Sequence, residues 1–182
     1  MHYLDCSVEG TSPLLINAAL GLGQAAPGEI PTPEVEAERG TYRLPDGSLY
    51  FPSAAFRGAL VSAGTGHRIG KRFATSVLKG AVFATAEAAP LTDPATGEPI
   101  STYQIDVRRA VPPGARGGVS VLRARARLDK WAATFGLEYD ETLIDPATIL
   151  HFLGVAGRNV GVGNFRPERG GWFGRFAVRD QD

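Results

Sequence analysis

The sequence predicts an α+β domain of the split βαβ, ferredoxin-like kind, with a long N-terminal insertion, a projecting hairpin and a C-terminal glycine-rich loop. Three observations point there. Segments of period-two alternation and two helical segments follow one another as strand, helix, strands, helix, strand, which is the plan of the split βαβ fold. The 182 residues match one domain of ordinary size, roughly 100–200 residues. The 23 glycines and 13 prolines follow no repeat and shape long loops between short elements. Residues 1–182 are therefore read as a single domain, with loop insertions at 21–47 and 110–118.

Residues 1–8 alternate around Tyr3, Asp5 and Ser7 and predict a first strand. Thr11, Ser12 and Pro13 interrupt it before the apolar Leu14, Leu15 and Ile16. From 21 to 47 the chain is rich in Gly, Pro and Glu, with Glu34, Glu36 and Glu38 spaced by two, and reads as a long loop. Leu49, Tyr50 and Phe51 form a short strand. Pro52 and Ser53 then open a helix over 54–63, with Ser53 as N-cap and Gly64 as stop. A basic turn occupies 66–72, and the β-branched and aromatic residues of 76–88 predict a strand. After a turn at 91–99 comes a second strand over 102–111, with Tyr103, Ile105 and Val107 on one face. The loop 112–118 leads to a strand over 119–128 in which Arg123, Arg125 and Arg127 share a face. A short helix over 146–153, a glycine-rich loop and a final strand over 172–178 complete the chain.

Hydrophobic residues make up 43% and charged residues 21%, a globular rather than a disordered composition. Cys6 is the only cysteine, which excludes an internal disulfide and a zinc site with two Cys ligands. His2, His67 and His151 show no ligand spacing with it, so no metal or other cofactor is expected. No apolar run approaches the roughly 18 residues of a spanning helix. The N-terminal residues lack a signal-peptide pattern, so a cytoplasmic protein without a membrane partner is expected. Nineteen basic residues balance nineteen acids, but they are segregated: residues 1–48 carry −5, 49–90 +4, 91–104 −2, 105–130 +5, 131–153 −4 and 154–182 +2. Such alternation fits one basic and one acidic surface, which in a self-associating protein meet head to tail. Sixteen of the nineteen basic residues are arginine, whose planar fork suits phosphate and base contacts.

The densest motif is 161–176, with five glycines, three arginines and four aromatics in sixteen residues. Glycines let backbone N–H groups approach phosphate, and aromatic faces stack on bases. The helix followed by this loop, ending Gly171-Trp172-Phe173-Gly174-Arg175-Phe176, resembles the C-terminal signature of the RAMP superfamily. A second match is Phe51-Pro52-Ser53-Ala54-Ala55-Phe56-Arg57-Gly58-Ala59-Leu60, similar to that family's short strand, turn and Lys/Arg-Gly helix. The resemblance implies an RRM-type fold and a compact relative of CRISPR effector backbone subunits, of the kind found among phage or mobile-element proteins. It also implies that Arg57 contacts a phosphate. Arg108 and Arg109, with the loop 112–118, take the place of the thumb-like hairpin.

The expected function is binding of single-stranded RNA or DNA along its backbone, largely regardless of sequence, by a homo-oligomer or filament. Arg57, Arg68, Lys71, Arg72, Arg108, Arg109 and Arg116 would neutralise phosphates. Arg166, Arg169 and Arg175 would act with Gly161 and Gly163, and Phe165 or Trp172 would stack on bases. No small-molecule substrate is expected. Two other readings stand beside this one: a structural assembly protein of virion or scaffold type, and a metal-independent RNA endonuclease using His67, with Lys71 and Tyr42 as helpers. The 66–72 segment is no P-loop, since Thr65 and Arg72 stand where Gly and Ser/Thr are required. No enzyme is expected. Glu34, Glu36 and Glu38 either face Arg123, Arg125 and Arg127 of a neighbouring subunit or form a solvated rim.

Overall fold

The computed structural model describes residues 1–18, 31–110 and 121–179. In chain order its elements begin with β1 (His2–Gly10), β2 (Leu14–Ile16), α1 (Pro33–Arg39), β3 (Tyr50–Pro52) and α2 (Ser53–Ala63). Next come β4 (Arg68–Ile69), β5 (Arg72–Phe73), α3 (Ala74–Ala81), β6 (Val82–Ala84) and β7 (Ala88–Thr92). Then follow β8 (Gln104–Ala110), β9 (Val121–Leu128), β10 (Ala132–Tyr139), α4 (Pro146–Asn159) and β11 (Phe176–Val178).

The main sheet runs β11-β1-β10-β7-β3, with β6 also paired to β10, and its pairings are antiparallel. β1, α2, β6–β7, β10, α4 and β11 thus trace the split βαβ plan, with β1 and β10 central. The α+β, ferredoxin-like expectation holds. β2, β9 and β8 form a second sheet, and β4 and β5 a small hairpin.

The core lies between the main sheet and α2 and α4. Ala133, Phe135, Leu137 and Tyr139 face inward from β10, and Cys6 and Val8 from β1. Phe56, Ala59, Leu60 and Ala63 of α2 meet them at helical spacing, as do Ile149, Phe152, Leu153 and Ala156 of α4. Phe56 stacks on Phe135 at 4.6 Å, with Trp131 and Phe176 beside it. Each such side chain contributes roughly 1.5–3 kcal/mol by burial.

Several elements differ from the sequence reading. Residues 33–39, read as loop, are helical. Thr32 caps α1 by accepting from the Val35 amide, Pro33 fills the first turn, Glu34 and Glu36 favour its N-terminus, and Arg39 its last turn. Residues 76–81, read as the start of a strand, belong to α3, because Ala74, Val77, Leu78 and Ala81 bury at helical rather than alternating spacing. Ser53 is the first residue of α2 and Pro52 its N-cap. The helix read over 146–153 continues to Asn159. Gly157 does not stop it; a side chain there would collide with the Phe176 carbonyl, so glycine lets β11 close on the helix. The final strand begins at Phe176 rather than Trp172, and β10 is an additional central strand. The loop expected over 112–118 lies outside the described residues, while Ala110 belongs to β8.

The glutamates of α1 are engaged within the chain: Glu36 meets the Arg123 of its own chain rather than that of a neighbouring subunit, while Glu38 stays at an exposed rim. Glu36 meets Arg123 Nη1 at 2.9 Å and accepts from the Ala124 amide at 3.0 Å. Glu38 accepts from Arg43 Nε at 2.6 Å and from the Tyr103 hydroxyl at 2.7 Å. Those hydrogen bonds, Arg43 first, pull the Glu38 carboxyl from 4.5 down to about 2. Because the folded-state value is depressed, this stabilisation is present above about pH 4.5 and lost as pH falls toward 2. Glu38→Gln is therefore expected to flatten the fall in melting temperature across that acid window, read by thermal unfolding at stepped pH.

Candidate nucleic-acid interface

The glycine-rich loop after α4 is folded against β2 and on itself. The Asn164 amide donates to the Leu15 carbonyl, Gly174 to Pro13, Val162 to Gly174 and Phe173 to Phe165. Gly161 donates to Ala156, Gly170 to Pro167 and Gly171 to Arg166. These amides are satisfied internally, so the expectation that the glycines present N–H groups to phosphate is corrected for them. The glycines serve close packing instead. At Gly174, with φ of 66°, any side chain would fall inside the Val162 carbonyl, and at Gly163 a Cβ would stand 2.6 Å from the Leu15 carbonyl.

What the loop builds is a groove. A cleft of about 380 Å³ runs between Ala55, Gly58 and Ser62 of α2 and residues 160–163, with Arg166, Glu168 and Arg169 at its rim. The spacing i, i+3, i+7 puts the α2 residues on one stripe, and their small size keeps it open: a Cβ at Gly58 meets nothing within 4 Å. Arg166 is held by Glu168 at 2.7 Å and by the Gly163 carbonyl at 3.2 Å. Arg166 in turn holds the Glu168 carboxyl below its ordinary range. Arg169 is exposed, and its side chain makes no hydrogen bond among the described residues. Gly161, Gly163, Arg166 and Arg169 are thus brought together.

The other expected residues are placed elsewhere. Arg57 lies about 130° round α2 from the middle of the groove stripe, at about 100° per residue. Its Nε donates to the Val82 carbonyl at 2.8 Å and its Nη2 to the Lys79 carbonyl at 2.7 Å, with the guanidinium over Phe83. It clasps the end of α3 to α2. Arg57→Ala is expected to cost about 1–2 kcal/mol of stability, read by denaturant unfolding, with strand affinity unchanged. Arg68, Lys71 and Arg72 sit on the β4–β5 hairpin, Arg68 bonding the Lys71 carbonyl at 2.9 Å and lying over Phe73 at 4.5 Å. Arg116 lies outside the described residues. Arg109 is exposed on β8, and Arg175 lines a different cavity, between α4 and β11.

Phe165 faces away from the groove into a cluster that the sequence reading missed as a unit. The cross-strand register sets Arg123 opposite Arg108 and Arg125 opposite Asp106 on one face of β8–β9. There, guanidinium and phenyl groups alternate: Arg125 lies 5.2 Å from the Phe165 ring, which lies 5.4 Å from Arg108. Arg108 lies 4.5 Å from the Phe173 ring, and Arg127 follows at 6.0 Å. Such stacking is favourable by about 0.5–2 kcal/mol per contact. It accompanies the φ of 54° at Phe165, a rare conformation for an aromatic residue. Asp106 takes two hydrogen bonds from Arg108 and has Arg127 at 3.6 Å. Arg108 is therefore engaged with Asp106 and the phenyl rings rather than free for phosphate. Arg125 is only 6% exposed, and burial pushes its pKa down. Trp172 is 55% exposed and lies 4.4 Å from the Phe173 ring, leaving a ring face at the surface.

No protein-family model and no curated protein matches the chain, but solved structures do. A chain of Type III-B Cmr-beta bound to cognate target RNA, solved by cryo-EM, aligns with a TM-score of 0.62 at 17% identity. The alignment covers 98% of this chain and 58% of that one. The two chains share a fold. The crystal structure of Cmr6 from Pyrococcus furiosus aligns with a TM-score of 0.49 at 12% identity over 98% of both chains. This chain spans 58% of the length of the Cmr-beta chain. Among the described residues no helix is long and apolar enough to cross a membrane, and no cluster of three or more His, Cys, Asp or Glu is placed to hold a metal ion.

Proposed function

We propose that this chain binds single-stranded nucleic acid, RNA or DNA, along the groove between α2 and the glycine-rich loop. The observation that carries the reading is the open stripe at Ala55, Gly58 and Ser62 beneath the exposed Arg169, in a fold shared with a chain of an RNA-bound assembly. Arg169 supplies charge to a phosphate, Trp172 offers a free ring face, and the β4–β5 hairpin adds Lys71 and Arg72 at the surface. Charge and π faces do not read base edges, so binding is largely sequence-independent.

The chain acts as a binder rather than an enzyme in this reading. His67 packs edge-on against Phe152, while Tyr42 packs among Tyr50 and Phe51 on another element. Self-association belongs to the same proposal and is supported by exposed Ile105, Val107 and Leu122 on one face of β8–β9. The test is the sizing profile of the purified protein before and after nuclease, with labelled single strands added back. Nucleic acid that co-purifies, and assemblies that grow with strand length, are expected. A clean protein that ignores both RNA and DNA would overturn the reading and leave the structural-assembly alternative.

A further inference from the structure

A larger cavity, about 850 Å³, lies between α4 and β11 and takes no part in the groove. Its volume is within the range of small-molecule sites, roughly 300–1,000 Å³. Three arginines reach it, Arg158 from the last turn of α4 and Arg175 and Arg179 from the two ends of β11, and among the described residues no carboxylate lines it. They are not equally available. Arg179 is held by Glu9 at 2.9 Å and by the Pro94 carbonyl at 2.8 Å. Arg175 gives only its Nε, at 3.3 Å, to the Arg158 carbonyl. The exposed Arg158 side chain makes no hydrogen bond among the described residues. Between these cations the lining is mostly apolar, with Leu150 of α4 and Val178 of β11, and it also carries the polar side chains of Ser7, Thr11 and His151. Gly154 deepens it: a Cβ there would meet only Arg158 Nη1, at 3.7 Å.

Two available guanidiniums beside an apolar wall suit a ligand with an anionic end and a flat or greasy body. Guanidinium forks bind phosphate bidentately, while a simple inorganic anion would leave the Leu150–Val178 wall unused. We propose that the α4–β11 cavity is a nucleotide-binding site, in which Arg158 and Arg175 take the phosphate and the base lies along Leu150, Gly154 and Val178. The nucleotide is either free or the terminal unit of a strand, and the site stands independently of strand binding in the groove.

Calorimetric titration with AMP, inorganic phosphate and a 5′-phosphorylated trinucleotide tests this on wild-type protein, Gly154→Phe and Arg158→Glu. Gly154→Phe fills the cavity from a helical position with room for a side chain, and Arg158→Glu reverses an exposed charge, so the two variants fail to fold for different reasons if either does. The expected result is one AMP per chain, phosphate at least tenfold weaker, and at least a tenfold loss of AMP affinity in each folded variant. Tighter binding of the trinucleotide than of AMP identifies a strand end as the source, and equal or weaker binding identifies a free nucleotide. Absence of AMP binding, phosphate binding as tightly as AMP, or unchanged AMP affinity in both variants would overturn the proposal. Strand binding disrupted at Gly58 and Arg169 is expected to leave AMP affinity intact, which separates failure of this site from failure of the groove.

Discussion

The double variant Gly58→Glu/Arg169→Glu is expected to lose roughly 100-fold in affinity for single strands near 0.1 M salt, with little change in melting temperature. Gly58 lies on the open stripe of α2, where a Cβ meets nothing within 4 Å, so an added side chain projects into the groove without displacing the core. Glutamate is also a better helix former than glycine, which offsets strain in the helix. Arg169 makes no side-chain hydrogen bond among the described residues, so its reversal breaks none and removes only its favourable charge interaction with the exposed Glu168. Together the two changes place two negative charges where the strand's phosphates are expected to run. Fluorescence anisotropy with labelled oligonucleotides measures the loss, and thermal unfolding confirms the fold. Arg57→Ala provides the contrast, since its guanidinium serves two carbonyls on the other flank of α2.

Asp106→Ala is expected to destabilise the protein by about 3–5 kcal/mol, the cost of removing one partner from a buried ionic cluster. Only 8% of the Asp106 side chain is exposed, and it is the carboxylate that meets both Arg108 and Arg127. Without it, Arg108 and Arg125 lose their neighbouring carboxylate while Arg127 keeps Asp129 at 2.6 Å, and Glu36, engaged by Arg123, still acts on Arg125. The Arg108 hydrogen bonds hold the Asp106 carboxyl below its ordinary value of 3.8. Its stabilisation is therefore full above that value and falls away as the solution becomes more acidic. Urea unfolding at neutral pH checks the energy. Loss of the cluster also frees β8–β9 from Phe165 and Phe173, so raised proteolytic sensitivity within β8 and β9 is expected alongside.

Much of the fold is legible where one face of an element is buried. β1, β8 and β9 follow from alternation, and α2 from its apolar spacing between Pro52 and Gly64. β10 is harder, because Gly136, on the outer face between Phe135 and Leu137, weakens the strand signal and acids crowd its end. The signs of α1 are present in Thr32, Pro33 and Arg39, but a short polar helix shows no long apolar stripe. α3 reads as a strand because Val77 and Val82 are β-branched, while its burial follows a period of 3.6.

The candidate site is legible in part. The sequence motif locates the glycine-rich loop, yet the reason for its glycines emerges only from packing: Gly163 against β2 and Gly174 against Val162. Composition groups the arginines as one class, whereas the structure divides them by partner. Arg57 meets carbonyls, Arg108 meets Asp106, Arg175 enters a separate cavity, and Arg169 remains available at the groove. Alternation correctly puts Arg123, Arg125 and Arg127 on one face, but their partners Glu36, Asp106 and Phe165 come from distant segments. The motif marks one wall of the groove, at Gly161, Gly163, Arg166 and Arg169, and the stripe of small residues Ala55, Gly58 and Ser62 marks the other.

The most direct test is the salt dependence of single-strand affinity for wild-type protein and the Gly58→Glu/Arg169→Glu variant. A strand held through its phosphates gives a log–log slope of roughly −0.7 per phosphate contacted. The expected result is a steep wild-type slope that becomes shallower in the variant by about one contact, with affinity falling in parallel for RNA and DNA of any sequence. Binding that ignores salt, or a variant with the wild-type affinity and slope, would contradict the assignment of the α2–loop groove as the strand site.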